Sequence, residues 1–480
     1  MQVTLKKSIS NGSIDNVVVL CNSLSVLDNC PISNEEIKYI GDNLPSAGAK
    51  LYVFNRLGYF TMVCYYNSSD KALETHQTLR TEAKKLHGIL VENNISEVSV
   101  VGSEGVSADD FLAYSEALIL SSYTFDKYKT KKGAKLDNIT LVSETIQQGD
   151  IDKLMNTCSS VFACRDWVNE PIAELNAETF ANVLQEHCNG LEIKTTVLNQ
   201  QQIEALGMGG ILAVNKGSQD EARFVVLEWN PGNAVNTQPI ALVGKGIMYD
   251  TGGLNIKTGT YMNDMKSDMA GAATVAATMV AVAKNKLPIS VVALLPLTDN
   301  RPNGNAYAAG DIIRMYDKTT VEVINTDAEG RMVLADAIAY AQNYNPQLII
   351  DVATLTGAAQ NAIGKVGMVG MHRDAEQEMA ELKNSGEQVY ERIAEFPFWS
   401  EYDEWIKSDV ADLRNTSKVP NAGMITAGKF LAHFAKSPFI HLDIAGVAFY
   451  NDNSTMYGVG GTAFGVRLLY NYLKNKCENK

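Results

Sequence analysis

The chain has 480 residues, 46% apolar and 20% charged, with a net charge of -14. That length exceeds what one hydrophobic core usually supports, so two domains are expected, and the acidic balance disfavours contact with a phosphate backbone. Seven scattered cysteines, odd in number and without a CxxC spacing, point to reduced thiols in a cytoplasmic protein rather than a disulfide framework. The N-terminus carries no apolar signal-peptide core. The longest uncharged apolar stretch, Met269 to Ala283, is too short and too alanine-rich to span a bilayer and reads as a buried helix.

In chain order, residues 1–150 read as an independent, smaller α/β domain. Apolar runs at 16–20, 51–54, 60–66 and 98–101 are strand-like, and helical patterns occupy about 70–88 and 109–124. His76 and His87 fall on a charged helix and read as surface residues. Lys127, Lys129, Lys131, Lys132 and Lys135, interleaved with Tyr123, Phe125 and Tyr128, form a basic run that reads as a solvated turn before it reads as a nucleic-acid patch. A charged connector with a helical pattern, 151–166, leads to a larger domain at 167–480. There, apolar runs at 224–227, 240–243, 289–294, 348–352 and 439–444 alternate with helical patterns, which predicts a mixed, mostly parallel sheet covered by helices on both faces. Ligands bind such sheets beyond the carboxyl ends of the strands, where Asp250, Asp327 and the loop Thr354–Gly357 fall.

Two stretches carry the chemistry. Asn325-Thr326-Asp327-Ala328-Glu329-Gly330-Arg331 follows a short strand at 321–324 and leads into an apolar-periodic helix beginning at Arg331. In extended chain Asp327 and Glu329 project to one side, and two adjacent anions call for a cation between them. A turn with a helix cap is the plainer reading. The second stretch, Val243 to Lys257 followed by Met265 to Ala273, adds Asp250, Asp268, Lys245 and Lys257 among glycines. No histidine lies between His187 and His372 and no HExxH pair exists, so a histidine-based zinc protease site is excluded. Spacing alone makes Lys245 a charged counter-ion to the acids, Lys257 a surface lysine, and Arg331 either an anion holder or a partner of a local acid.

These stretches resemble the leucyl aminopeptidase (cytosol aminopeptidase) family, with the NTDAEGR signature intact. Gly310-Asp311, Asp351 to Gly357 and His441 to Gly446 extend the resemblance from about Trp167 to the C-terminus. The resemblance implies a two-metal aminopeptidase that removes N-terminal, leucine-like residues from peptides. It implies metal ligation by Lys245 (as a neutral amine), Asp250, Asp268, Asp327 and Glu329. Oxygen-rich ligation accepts Mn²⁺ or Zn²⁺, with Mg²⁺ or Co²⁺ as further options. Lys257 would stabilise the tetrahedral transition state formed by metal-activated hydroxide. Arg331, with backbone groups of Gly330 and Leu355, would hold bicarbonate as general base. Met265, Asn325, Thr354, Gly357 and Ala445 would line the pocket for the first side chain.

The family further implies a cytoplasmic homohexamer with no membrane association, in which the N-terminal domain serves oligomerisation or regulation. Thr251 stands where the family more often has serine and Ala270 where it has glycine. Pro438-Phe439-Ile440 replaces a tryptophan-containing run. Two alternatives compete: a DNA-binding regulatory protein with an incidental site, which the acidic charge disfavours, and a metal-dependent phosphoesterase, which leaves Lys257 and Arg331 less well explained.

Overall fold

The computed structural model describes residues 1–8, 16–68 and 71–478. The chain divides into two compact units: Met1–Ser159 with Asn451–Val459, and Ser160–Tyr450 with Gly460–Lys480. The sequence expected for the linker lies inside a helix, α4 below.

In the first unit, strands β1 (Gln2–Lys6), β2 (Val17–Cys21), β3 (Ala49–Asn55), β4 (Phe60–Tyr66), β5 (Glu97–Gly102) and β6 (Asn138–Val142) form one sheet in the order β1-β6-β5-β2-β4-β3. All neighbours are parallel except β3 and β4. Helices α1 (Asn34–Asp42), α2 (Ala72–Glu92) and α3 (Ala108–Ser121) accompany it, and α4 (Gln148–Asn169) carries the chain onward. β2 is buried at every position, as a central parallel strand must be. Contrary to the surface reading, His76 Nε2 lies 3.2 Å from Asp110 Oδ1 with its side chain only 15% exposed, and His87 is half-buried. Their helix packs against α3, which shields one side of it. The lysine run 127–135 lies in an exposed segment, where Lys135 pairs with Asp126 at 2.7 Å.

The second unit adds α5 (Ala177–Cys188), β7 (Lys194–Leu198), α6 (Gln200–Leu206), α7 (Gly209–Asn215), β8 (Arg223–Trp229), β9 (Ile240–Gly244) and β10 (Gly246–Asp250). These are followed by α8 (Ala270–Lys284), β11 (Val291–Asn300), β12 (Ile312–Arg314), β13 (Thr320–Glu322), α9 (Glu329–Ala341) and β14 (Leu348–Ala353). The remaining elements are α10 (Gly357–Ile363), β15 (Met368–Arg373), α11 (Glu376–Val389), β16 (Ile393–Glu395), β17 (Leu413–Arg414), α12 (Gly423–Phe434), β18 (Phe439–Asp443) and α13 (Val466–Glu478). The main sheet runs β16-β15-β18-β14-β9-β11-β8-β7, with β10 beside β11. Its centre, β18, β14, β9 and β11, is parallel, and antiparallel pairs stand toward both ends. This is the mixed, mostly parallel sheet the apolar runs indicate.

Helices α8 and α9 both pack on β9, β11 and β14. Ala241 and Val243 of β9 join the core that α9 shares with α7 and α12, whereas a Cβ on Gly244 would meet Ala272 of α8. Alternation along the strand thus sends the two helices to opposite faces. Every residue of α8 from Ala270 to Ala283 is buried, as its apolar composition requires.

Candidate active site

The chemistry-bearing residues collect at the carboxyl ends of the parallel strands. Lys245 falls between β9 and β10. Its N–H donates to Val352 O at 3.0 Å and its carbonyl accepts from Ala272 N–H at 2.8 Å, so strand and helix clamp its backbone. Asp250 ends β10, Asp268 lies two residues before α8, and Glu329 opens α9. The extended geometry expected for Asp327 and Glu329 is not what forms. Asp327 sits in a turn and Glu329 begins the helix, which therefore starts two residues before Arg331. The turn is fixed by Asn325 Oδ1, which accepts from Asp327 N–H at 2.8 Å.

The two lysines stand between the acids. Lys245 Nζ lies 2.9 Å from Asp268 Oδ1 and 3.0 Å from Glu329 Oε1, and donates to Thr354 O at 2.7 Å. Lys257 Nζ lies 2.7 Å from Asp250 Oδ2 and 2.6 Å from Asp327 Oδ1. Ligand oxygens of Asp250, Asp327 and Glu329 all lie within 4.8 Å of one another. Lys245, Asp250, Asp268 and Glu329 are buried.

Electrostatics follow from that burial. Desolvation, then the like charges of Glu329 and Asp268, push Asp250 well above the carboxylate range. Burial pushes Asp268 up to about 6 against the pull of Lys245. Burial also raises Asp327, with Lys257 opposing it. Burial works to raise Glu329 too, but the Lys245 and Lys257 ammoniums outweigh it and hold it below its usual value. For both lysines burial favours the neutral amine, and the surrounding carboxylates reverse that and keep them charged.

Fully ionised, the four acids would face only two ammoniums, a deficit of two positive charges in a buried site that opposes their ionisation. Asp268 Oδ2 and Glu329 Oε2 have no hydrogen-bond donor among the described residues. Buried oxygens left this way carry a cost of about 1–3 kcal/mol each, which a divalent cation would remove. The donor set fits metal ions.

Arg331 is buried, its Nε has no partner, and among the described residues no carboxylate forms an ion pair with it. Burial lowers the guanidinium to about 10, with Glu329 and Asp443 opposing. A buried guanidinium without an ion-pair partner carries a solvation cost that a bound anion would offset. Gly330 lies behind Lys245, where a Cβ would sit 2.5 Å from Lys245 Cε. The Leu355 N–H donates to Asp443 Oδ1 at 3.1 Å, so that donor is already engaged.

A cavity of about 620 Å³ opens over these groups, lined by the five proposed metal ligands, Lys257, Met265, Thr354, Leu355, Gly357 and Ala445. Asn325, Gly330 and Arg331 do not line it. Several wall residues escape a reading of the sequence: Ile256, Tyr261, Gln360, Asn361 and Phe449. So do the residues that hold the walls. Asp443 accepts from Leu355 N–H and Ala445 N–H through Oδ1, and from the Thr356 hydroxyl through Oδ2 at 2.7 Å. Asn255 and Thr326 exchange bonds, Thr326 N–H to Asn255 Oδ1 at 2.9 Å and Asn255 N–H to Thr326 Oγ1 at 2.8 Å. The HLDIAG run, in which Asp443 is the sole acid, was the available signal for that residue.

Fold and site together define a metal-dependent hydrolase of the α/β class. The model of the cytosol aminopeptidase family catalytic domain matches residues 162–470. A probable cytosol aminopeptidase of Geobacter sulfurreducens is 42% identical over 378 residues, covering 77% of this chain and 76% of that protein. One from Shewanella oneidensis is 43% identical over 365 residues, covering 75% and 72%. Among solved structures, the bottromycin maturation enzyme BotP in complex with Mn superposes with a TM-score of 0.84 at 27% identity, covering 97% of this chain and all of that one. The chain belongs to the cytosol aminopeptidase family, and is an aminopeptidase hydrolase.

Proposed function

We propose that this aminopeptidase removes leucine-like first residues from peptides, using two divalent ions and a bicarbonate held by Arg331. The observation that carries the reading is the convergence of Asp250, Asp268, Asp327 and Glu329 on two lysines in one cavity, with buried oxygens lacking donors. Lys245, Asp250, Asp268, Asp327 and Glu329 would hold the ions, Lys245 as a neutral amine whose proton the added positive charge drives off to solvent. When bound, paired divalent ions lower the pKa of water and polarise a carbonyl. Mn²⁺ and Zn²⁺ are the first choices, Mg²⁺ and Co²⁺ also compatible. The Mn named with BotP favours the first of these.

Lys257 stays charged between Asp250 and Asp327, so it can donate to an oxyanion that forms beside it. Arg331 offers an unpartnered, buried guanidinium to a planar anion, and bicarbonate at that position supplies a general base. Backbone groups of Gly330, in the first turn of α9, and of Leu355 would complete that cradle, although the Leu355 N–H already donates to Asp443. Met265, Thr354, Gly357 and Ala445 give the first side chain an apolar and small-walled pocket. Asn325 acts by holding Asp327 rather than by lining that pocket.

A cytoplasmic homohexamer, with the N-terminal unit as its oligomerisation or regulatory module, is the form in which we expect it to work. Among the described residues no helix is long and apolar enough to cross a membrane. Metal analysis followed by a panel of aminoacyl anilides with and without Mn²⁺ tests the reading. Leucine and methionine anilides should turn over and nitrophenyl phosphate should not. Phosphate release without anilide cleavage would replace this function with phosphoester hydrolysis.

A further inference from the structure

Asn300 is the last residue of β11 and is fully buried. Strand register puts it beside Asp250 of β10. Its Nδ2 donates to Asp250 Oδ1 at 2.9 Å and to the Thr326 carbonyl at 2.9 Å. Those acceptors belong to the two separate segments that supply the acids, so a single amide spans them. The orientation follows from the acceptors, since a flipped amide would set its oxygen against a carboxylate and a carbonyl.

That choice leaves Asn300 Oδ1 buried with no donor among the described residues. Such orphans are uncommon in folded proteins and ask for a compensating role. The surroundings are built around it. Gly253 has a left-handed backbone (φ 63), and a Cβ there would lie 2.8 Å from Asn300 Oδ1. The Asn300 carbonyl accepts from the Thr251 N–H at 3.0 Å and its hydroxyl at 2.7 Å. Asp250 Oδ1 also accepts from Gly252 N–H at 2.8 Å. With Oδ1 taken twice, Oδ2 is the Asp250 oxygen left to face Lys257.

We propose that Asn300 is a positioning residue of the metal centre: it sets the gap between Asp250 and the Thr326–Asp327 turn, and commits Asp250 to offering a cation Oδ2 alone. This rests on the two-ion reading above. A bond network of this kind, one shell out from the ligands, tunes metal affinity rather than taking part in bond breaking.

The test is titration calorimetry of Mn²⁺ into metal-free protein for wild type, Asn300→Ala and Asn300→Ser, with thermal unfolding of each metal-free sample alongside. Serine is too short to reach both acceptors and gives a second chance of a folded variant. The expected result is wild-type uptake of two ions and a loss of affinity in either folded variant of about 10- to 100-fold. A purely structural asparagine would lower the unfolding temperature of the metal-free protein and leave the Mn²⁺ affinity unchanged, and that outcome overturns the proposal alone. A wild type that takes up no ion overturns the two-ion reading and this proposal with it.

Discussion

Glu329 holds one oxygen against Lys245 and leaves the other without a donor, and Asp327 faces Lys257 from the adjoining turn. If these oxygens are cation ligands, Asp327→Asn and Glu329→Gln should abolish turnover while the far-ultraviolet circular dichroism stays that of the wild type. Full activity in either would count against ligation. Arg331→Ala removes a base-holder and not an ion, so a smaller loss is expected, about 10²-fold in kcat. The same variant should lose its response to added bicarbonate, and a wild-type rate across a bicarbonate titration would remove the anion role. The acids and lysines were legible because their residue types sit in ordered motifs. Asn300 and Asn255 were not, because an amide that works through hydrogen bonds leaves no mark until strand register and loop closure are known, and for Asp443 the HLDIAG run marked the position without showing what it holds.

Helix α9 shows how an element delivers several groups at once. Its first turn carries Glu329, Gly330 and Arg331, and Gly330 must lack a side chain because Lys245 crosses it. Gly330→Ala should displace the lysine head and cut kcat/KM by about 10²-fold with little change in overall fold, measured on leucine anilide. An unchanged rate would mean that Lys245 has room to spare. The apolar period marked this helix, but not that the preceding acid belongs to it, since an uncapped start at Ala328 gives no polar cap signal.

The apolar run at 289–294 covers only the first four residues of strand β11. Pro296 argues against a strand interior, yet it sits in register with Phe224 of the antiparallel neighbour β8. Helix α2 carries a pH dependence of its own. Burial, helped by Lys84, lowers His87 to about 4 from its ordinary 6.5. The unfolded chain therefore takes up this proton first, so the stabilisation is complete above about 6.5 and is lost as pH falls toward 4. Its size is roughly 1–2 kcal/mol once solvent screening of a half-buried ring is allowed for. His87→Gln should flatten this acid limb in urea unfolding monitored between pH 7 and 4, and an unaltered limb would assign it elsewhere.

At the scale of the whole molecule, the parallel centre of the larger sheet explains why residues more than a hundred positions apart meet. Lys245 and Thr354 follow the neighbouring strands β9 and β14, and α9, the helix that leads into β14, starts with Glu329 at the same end. Alternating apolar runs made that architecture readable. The small edge strands and the return of Asn451–Val459 to the first unit were not, because short polar segments carry no period. Ions that bind only the folded state stabilise it, so chelation should lower the unfolding temperature by roughly 5 °C relative to protein in hundredfold excess Mn²⁺ over its Kd. The most direct measurement compares leucine anilide with its N-acetylated form on protein stripped of metal and then restored with Mn²⁺. Rapid release from the free amine alone, absent after chelation and regained with Mn²⁺, is predicted. Equal turnover of the acetylated substrate, turnover that survives chelation, or an inert metal-loaded protein would contradict it.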